Sequence, residues 1–277
     1  MPSPTPAELQ IRPRQPGFAL PEPWKRHWHG DDAFKSHFFD AMSLLFPEGE
    51  RFFIDSVRAF RDRVSDPQQL EQIRGFIGQE AHHSREHQHY SDALRACGYD
   101  LDYLECRLNK RLAFVRKHLP AKVHLAATVA VEHLTAIMAD AILQNPAWLA
   151  GADPQMARLW RWHALEESEH KAVAFDLYQQ VCGNVWLRRR AMLQSTFFFT
   201  LDTFKGLLHM LRRDGLLGSW RLWRAGLAWL WGSRGILRPL VRAYFEFYRA
   251  DFHPWQHDNL QLILEKRREF DPIAELS

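Results

Sequence analysis

Two segments of this chain repeat one spacing. Glu80-Ala81-His82-His83 and Glu167-Ser168-Glu169-His170 both read Glu-x-x-His. On an α-helix, residues three apart sit about 60° apart around the axis and about 4.5 Å apart along it. A Glu and a His so placed reach one point in space, and two such helices supply two carboxylates and two imidazoles. Two other stretches with helical patterning each offer one more Glu. Glu50 lies in Phe46-Pro47-Glu48-Gly49-Glu50-Arg51-Phe52-Phe53, and Glu132 lies in Ala130-Val131-Glu132-His133-Leu134-Thr135-Ala136. A charge on an otherwise apolar helix is costly unless it is paired or binds metal. The order is Glu, Glu-x-x-His, Glu, Glu-x-x-His, with separations of 30, 52 and 35 residues, each enough for one helix and its return.

The punctuation between these segments is helical. Asp66-Pro67 reads as an N-cap and first helical residue, and a long helix follows to Cys97 and stops at Gly98. A short helix is expected after Asp100, another from Ala121 to Gln144, and a fourth long one from Pro154 to Val181. The first helical region spans Asp31 to Val64 with a break at Pro47. No stretch alternates as a strand does. The expected fold class is all-α: an extended arm over residues 1–30, a four-helix bundle over 31–183, and an additional helical region over 184–277.

Within the motifs, alternatives compete. Glu48 rivals Glu50, but it stands in the first turn after Pro47, where the helix dipole alone favours a carboxylate. Glu166 rivals Glu167 and is better placed to reach a His on the facing helix, with Gln79 as its counterpart. His87, four residues after His83, is open between ligand, proton shuttle and rim residue. His82, His89 and His133 are expected to point elsewhere. Asp55 and Asp176 fit either outer acids of the site or exposed positions.

This ligand order resembles the ferritin-like di-iron carboxylate proteins, in which two helices each give one Glu and two others each give Glu-x-x-His. The resemblance implies two metal ions, iron first and manganese second. It implies bridging, catalytically central roles for Glu80 and Glu167, terminal carboxylates at Glu50 and Glu132, and one imidazole per metal from His83 and His170. His163 precedes Glu167 by four residues on the same face, which resembles the di-iron arylamine N-oxygenases and their third His ligand. The wider wording FPEGE, QEAHHSREH, VEHLTA, EESEHKAVAFD and FHPW resembles the bacterial family of predicted metal-dependent hydrolases.

Three activities follow as expectations. The first is oxidation of a small apolar or aromatic substrate with dioxygen. The second is hydrolysis by a metal-activated water, although no Gly-rich phosphate cradle accompanies the motifs. The third is non-enzymatic iron binding, for which a long region beyond the bundle would be superfluous. Cys97, Cys106 and Cys182 form neither a disulfide framework nor a CxxC pair, which points to a reducing, cytoplasmic compartment. The opening MPSPTPAELQIRPRQPG has no apolar core of a secretory signal.

The net charge of +3 does not call for a nucleic-acid partner. From Trp186 to Ala250, twelve Lys and Arg face only three acids, and Trp220, Trp223, Trp229 and Trp231 alternate with Arg221, Arg224 and Arg234. That pattern fits either peripheral membrane contact through 186–250 or a helical layer packed on the bundle. Ala191 to Leu211 is apolar, but Asp202, Lys205 and His209 make it a poor membrane span. The aromatic content is compatible with a homodimer.

Overall fold

Capping residues written into the sequence start several of the helices. Asp32 accepts from the Lys35 N–H, Asp66 from Gln68 and Gln69, and Asp153 from Gln155 and Met156, while Pro67 and Pro154 occupy first-turn positions that need no N–H partner. The computed structural model describes residues 5–6, 9–15, 17–18, 20 and 24–271. Its helices are α1 (Ala33–Ser43), α2 (Phe46–Arg58), α3 (Pro67–Ala96), α4 (Asp102–His118), α5 (Ala121–Gln144) and α6 (Pro154–His170). They continue with α7 (Val173–Val181), α8 (Val185–Arg213), α9 (Trp220–Trp231), α10 (Leu240–Glu246) and α11 (Leu260–Arg267). Among the described residues the one extended pairing is an isolated bridge between His29 and Ala152. The all-α expectation holds.

Three boundaries differ from the sequence reading. The first break falls at Leu44–Leu45, and Pro47 sits inside the first turn of α2, where its ring is tolerated. The helix after Asp100 is not short but runs 17 residues, with Arg116, Lys117 and His118 in its last turn complementing the dipole. The fourth long helix is interrupted after His170. There Lys171 and Ala172 form a turn before α7 begins, and the Lys171 Nζ reaches the His257 carbonyl and Asn259 Oδ1, both at 2.7 Å.

α2 packs along α3, and α5 along α6; α2 also meets α5, and α3 meets both α6 and α7. At 24 residues, α5 is about 36 Å long at 1.5 Å per residue. It is the one described helix long and apolar enough to cross a membrane, yet it is mostly buried within the protein. α8 lies against α1 and α5. The apolar core has two large parts, with a smaller one around Leu165, Trp255 and Ile263. One large part holds Phe39, Phe46, Tyr90, Ala139 and Trp160; the other holds Phe53, Phe76, Val129, Val173 and Tyr178. The ligand candidates fall between these two sets: Glu50 between Phe46 and Phe53, Glu80 and His83 between Phe76 and Tyr90, Glu132 between Val129 and Ala139, and His163, Glu167 and His170 between Trp160 of α6 and Val173 of α7. A polar layer is thus clamped between two apolar ones.

The N-terminal segment is bound rather than loose where it is described. Leu9 and Ile11 are buried, and the segment runs in a groove of α3 that two glycines open. A Cβ on Gly75 would stand 2.2 Å from the Ile11 carbonyl oxygen, and one on Gly78 would stand 2.4 Å from Pro13 Cγ. This close approach places Arg14 over the side of α6.

Candidate metal centre

Every ligand candidate from the paired motifs comes to the same buried layer. Two groups of donor atoms, each within 4.8 Å of one another, describe two adjacent positions: Glu50 with His83 and His163, and Glu80 with Glu132 and His170. A third group, Glu80 with His83 and Glu167, joins them. Glu167 stands in the middle. Its Oε1 is 3.1 Å from His163 Nε2 and 3.5 Å from His83 Nδ1, and its Oε2 is 3.6 Å from His170 Nε2. His170 Nε2 in turn lies 3.1 Å from Glu80 Oε1 and 3.3 Å from Glu132 Oε2. His163, the candidate drawn from the arylamine N-oxygenase likeness, stacks on His83 with ring centroids 4.3 Å apart.

The donor set fits a pair of cations. Both carboxylate oxygens of Glu50, Glu80 and Glu132, together with His83 Nδ1 and His170 Nε2, are buried without a hydrogen-bond partner among the described residues. Leaving so many polar atoms unsatisfied would cost several kcal/mol, on the order of 1–3 for each, unless something positive sits among them. Four carboxylates carry four negative charges, which two divalent ions would neutralise. Without such ions the charges resist one another. Burial and the neighbouring Glu80 push Glu50 well above the usual carboxylate range, and burial together with Glu80 pushes Glu132 up to about 8. Burial also opposes ionisation of Glu167, but the surrounding His170, His163 and His83 outweigh it and hold this carboxyl well below its ordinary value. Burial works against a charge on His83 and His170 as well, yet the carboxylates around them hold both imidazoles well above the ordinary value.

Outer partners aim each imidazole. His83 turns Nδ1 inward, and its Nε2–H donates to Glu166 Oε2 at 3.1 Å. His170 turns Nε2 inward, and its Nδ1–H donates to Gln79 Oε1 at 2.9 Å. The Gln79 amide nitrogen then donates to Glu169 Oε2 at 2.7 Å. For His163 Nε2 to offer its lone pair, Nδ1 must carry the proton and donate to His87 Nε2, 2.6 Å away; His87 Nδ1–H is left to the Ser43 hydroxyl at 2.8 Å. Burial beside His163 holds His87 well below the usual imidazole value, as a neutral relay requires. His87 is therefore one step behind the donors rather than among them. The Thr135 hydroxyl donates to Glu167 Oε2 from α5.

Arg14 closes the outer face. Its guanidinium meets both Glu169 oxygens at 2.8 Å, and its backbone N–H donates to Glu166 Oε1 at 3.0 Å. Arg267 of α11 reaches the same Glu169 at 2.6 Å. Residues from both ends of the chain thus hold the two acids that lie behind the imidazoles.

Residues 12–258 match the family model described as predicted metal-dependent hydrolase. The chain belongs to that family. No curated protein and no solved structure matches it. The matched span of this metal-dependent hydrolase family member takes in Arg14 as well as α8 to α10, so the family unit is larger than the four ligand-bearing helices.

The remaining candidates sort by contact. Glu48 is partly exposed and pairs with Arg51, leaving Glu50 as the inward carboxylate of α2. His82 binds the Arg14 carbonyl, His89 is exposed, and His133 faces away toward the Ala243 carbonyl, where burial holds it down to about 3. Asp55 is exposed near Arg116. Asp176 accepts from His253 Nε2 at 2.8 Å, and through this bond the FHPW motif fastens the C-terminal region to α7.

A further group, His27, His37 and Asp214, also has metal-compatible spacing. There, however, Asp214 already accepts from His27, His37, Tyr99 and Arg26, and His37 is further bound to Asp40. Its atoms are satisfied, unlike those of the central layer, so it reads as a buried ion-pair network.

His163, Glu167 and Thr135 also line a cavity of about 20 Å³ whose other walls include Met42, Phe46, Met138 and Trp160. The central donors therefore open on one side to a small, mostly apolar space, with room for about one water-sized molecule.

Of the four tryptophans in α9, Trp220 and Trp231 are exposed, whereas Trp229 packs on Phe38 and His29 and Trp223 on Phe34. The helix shares its aromatics between solvent and core.

Proposed function

We propose that this chain is a di-iron carboxylate oxidoreductase that reduces dioxygen and oxidises a small apolar substrate. The carrying observation is the joined set of donors, Glu50, His83 and His163 beside Glu80, Glu132 and His170, with Glu167 between them, facing a small apolar cavity. Four carboxylates with three imidazoles make a hard, anionic donor set that suits iron or manganese better than zinc, which takes fewer ligands and more His or Cys. The order of ligands on four mutually packed helices supports the ferritin-like reading. Two ferrous ions held here would supply electrons for dioxygen reduction.

The chain's own residues do the rest. Glu80 and Glu167 would hold the ions from between the two donor groups, and Glu50 and Glu132 would hold them from either side. Thr135 orients Glu167, and the relay from His163 through His87 to Ser43 holds one tautomer. Phe46, Trp160 and Met138 exclude bulk water from the side where a substrate would stand. The family description favours a second reading, in which two metals activate a water for hydrolysis.

Metal analysis of protein from iron-supplemented cells decides between them. About two irons per chain, with an oxygen-dependent near-ultraviolet band after anaerobic reduction, is the expected result. Two redox-silent ions, with ester hydrolysis by the anaerobic manganese-loaded protein, would overturn it in favour of hydrolysis.

His163→Ala is expected to keep both metals and to change the optical spectrum of the iron-loaded protein, because only one donor of one group is lost. An unchanged spectrum would reduce His163 to a ring packed between Phe46 and His83.

A further inference from the structure

Beyond the metal centre lies a much larger space, of about 520 Å³, between α1, α5, α8, α9 and α10. Its walls are apolar, with Phe34, Leu134, Phe199, Leu207, Trp223 and Leu237 among them, and no charged side chain of the described residues lines it. The volume is in the range of small-molecule sites, roughly 300–1,000 Å³. Two features give it a direction. At one end its lining includes Met42 and Met138, which also line the small cavity containing His163 and Glu167. The two spaces therefore share a wall of two methionines, the side chains best able to swing aside. At the other end the rim is exposed and aromatic: Phe245 is 63 % and Trp231 53 % exposed, with Phe204, Leu227 and Val241 beside them.

Helix α5 explains how the two spaces come together. Glu132 and Thr135 face the donors, while Leu134, Ile137 and Met138 line the larger cavity. Along α8, Thr196, Thr200 and Thr203 form one stripe on the cavity wall, and the Thr203 hydroxyl is buried with no partner among the described residues. The wall thus offers hydroxyls at intervals but no counter-charge. A charged ligand would lose its hydration here without compensation.

We propose that this cavity binds an elongated, uncharged molecule with an alkyl chain, and that the chain enters between α9 and α10 and points its inner end past Met42 and Met138 toward Glu167. The substrate class rests on the metal-centre reading; the binding itself does not. The C-terminal helices then have a function the bundle alone lacks: they build the substrate cavity.

The test uses the full chain, with and without metal, and the primary alcohols from hexanol to dodecanol followed by calorimetry. Affinity is expected to rise about fourfold per added methylene, the yield of burying each one, until the cavity is full. Dodecanol carrying a diazirine at the end remote from its hydroxyl is expected to label Met42 or Met138, because the apolar end enters first and the hydroxyl stays toward the rim. Leu237→Trp, which fills the cavity from a half-buried wall position, is expected to weaken binding roughly tenfold or more with metal content unchanged. Because the labelling uses the unaltered chain, it stands even if that variant folds poorly.

Affinity independent of chain length, or label confined to Trp220, Trp231 and Phe245, would overturn the proposal and leave surface adsorption. Flotation with anionic vesicles at low salt, without alcohol binding, would likewise overturn it and assign the rim to membrane contact. Two metals with no alcohol binding would sink the cavity reading alone; alcohol binding with no metal would sink the metal reading alone.

Discussion

Glu167→Ala is expected to leave the chain helical and to remove most of its bound metal. This carboxylate lies within 3.6 Å of an inward-facing nitrogen on each of three imidazoles, His163, His83 and His170, and so stands between the two donor groups, within reach of both. Changing the hydrogen-bond partner of a ligand commonly lowers metal affinity about 10- to 100-fold. Removing a ligand that both positions share is expected to cost on the order of 100-fold or more at each, on the same scale. Glu166→Gln serves as the contrast. Among the donor residues it touches only His83, at that ring's far nitrogen, and its other oxygen is held by Arg14, so a milder loss is expected. Metal content after gel filtration and far-ultraviolet circular dichroism measure the two halves of the prediction. Full metal content in Glu167→Ala would remove Glu167 from the site.

The contrast between those two adjacent glutamates also shows what a sequence can carry. Helix periodicity is local geometry, so Glu80 with His83, and Glu167 with His170, could be placed on common faces from spacing alone. Glu132 followed three residues later by Thr135 is the same signal, and it would have pointed to the Thr135 hydroxyl on Glu167. The Asp66-Pro67 cap likewise announced where α3 begins. What escaped was non-local. Arg14 lies 152 residues from Glu166, and nothing near either residue announces their meeting. Its position depends on Gly75 and Gly78, whose role is steric and visible only once Ile11 and Pro13 are laid beside them. Lys171, at the break after His170, meets His257 and Asn259, and His253 meets Asp176, all across long stretches of chain. Ser43 and His87 are joined across two helices whose packing sets the contact. The cavity of the C-terminal helices is a property of five elements at once, and composition over 186–250 registers only its basic and aromatic rim.

The metal-free chain is expected to be markedly less stable than the loaded one, and Glu50→Leu is expected to reverse the sign. Ions that bind only the folded chain stabilise it by about 4 kcal/mol at a thousandfold excess over Kd. For a chain of this size that corresponds to roughly 8–16 °C in Tm. Chelation should therefore lower the Tm of the natural sequence by about that amount. Glu50 is 1 % exposed and neither of its oxygens has a hydrogen-bond partner. In the metal-free chain its burial is pure cost, so an apolar residue of similar volume is expected to raise stability by about 1–4 kcal/mol. With metal the same substitution removes a donor and forfeits part of the binding energy. Thermal unfolding of both sequences, each with and without chelator, should give crossing behaviour: natural sequence ahead when loaded, Glu50→Leu ahead when stripped. A Glu50→Leu chain less stable than the natural one in both conditions would mean that this carboxylate supports the fold for a reason other than metal. Functional sites often conflict in this way with the fold that carries them, and the sign of this one substitution, measured twice, isolates the conflict at a single side chain.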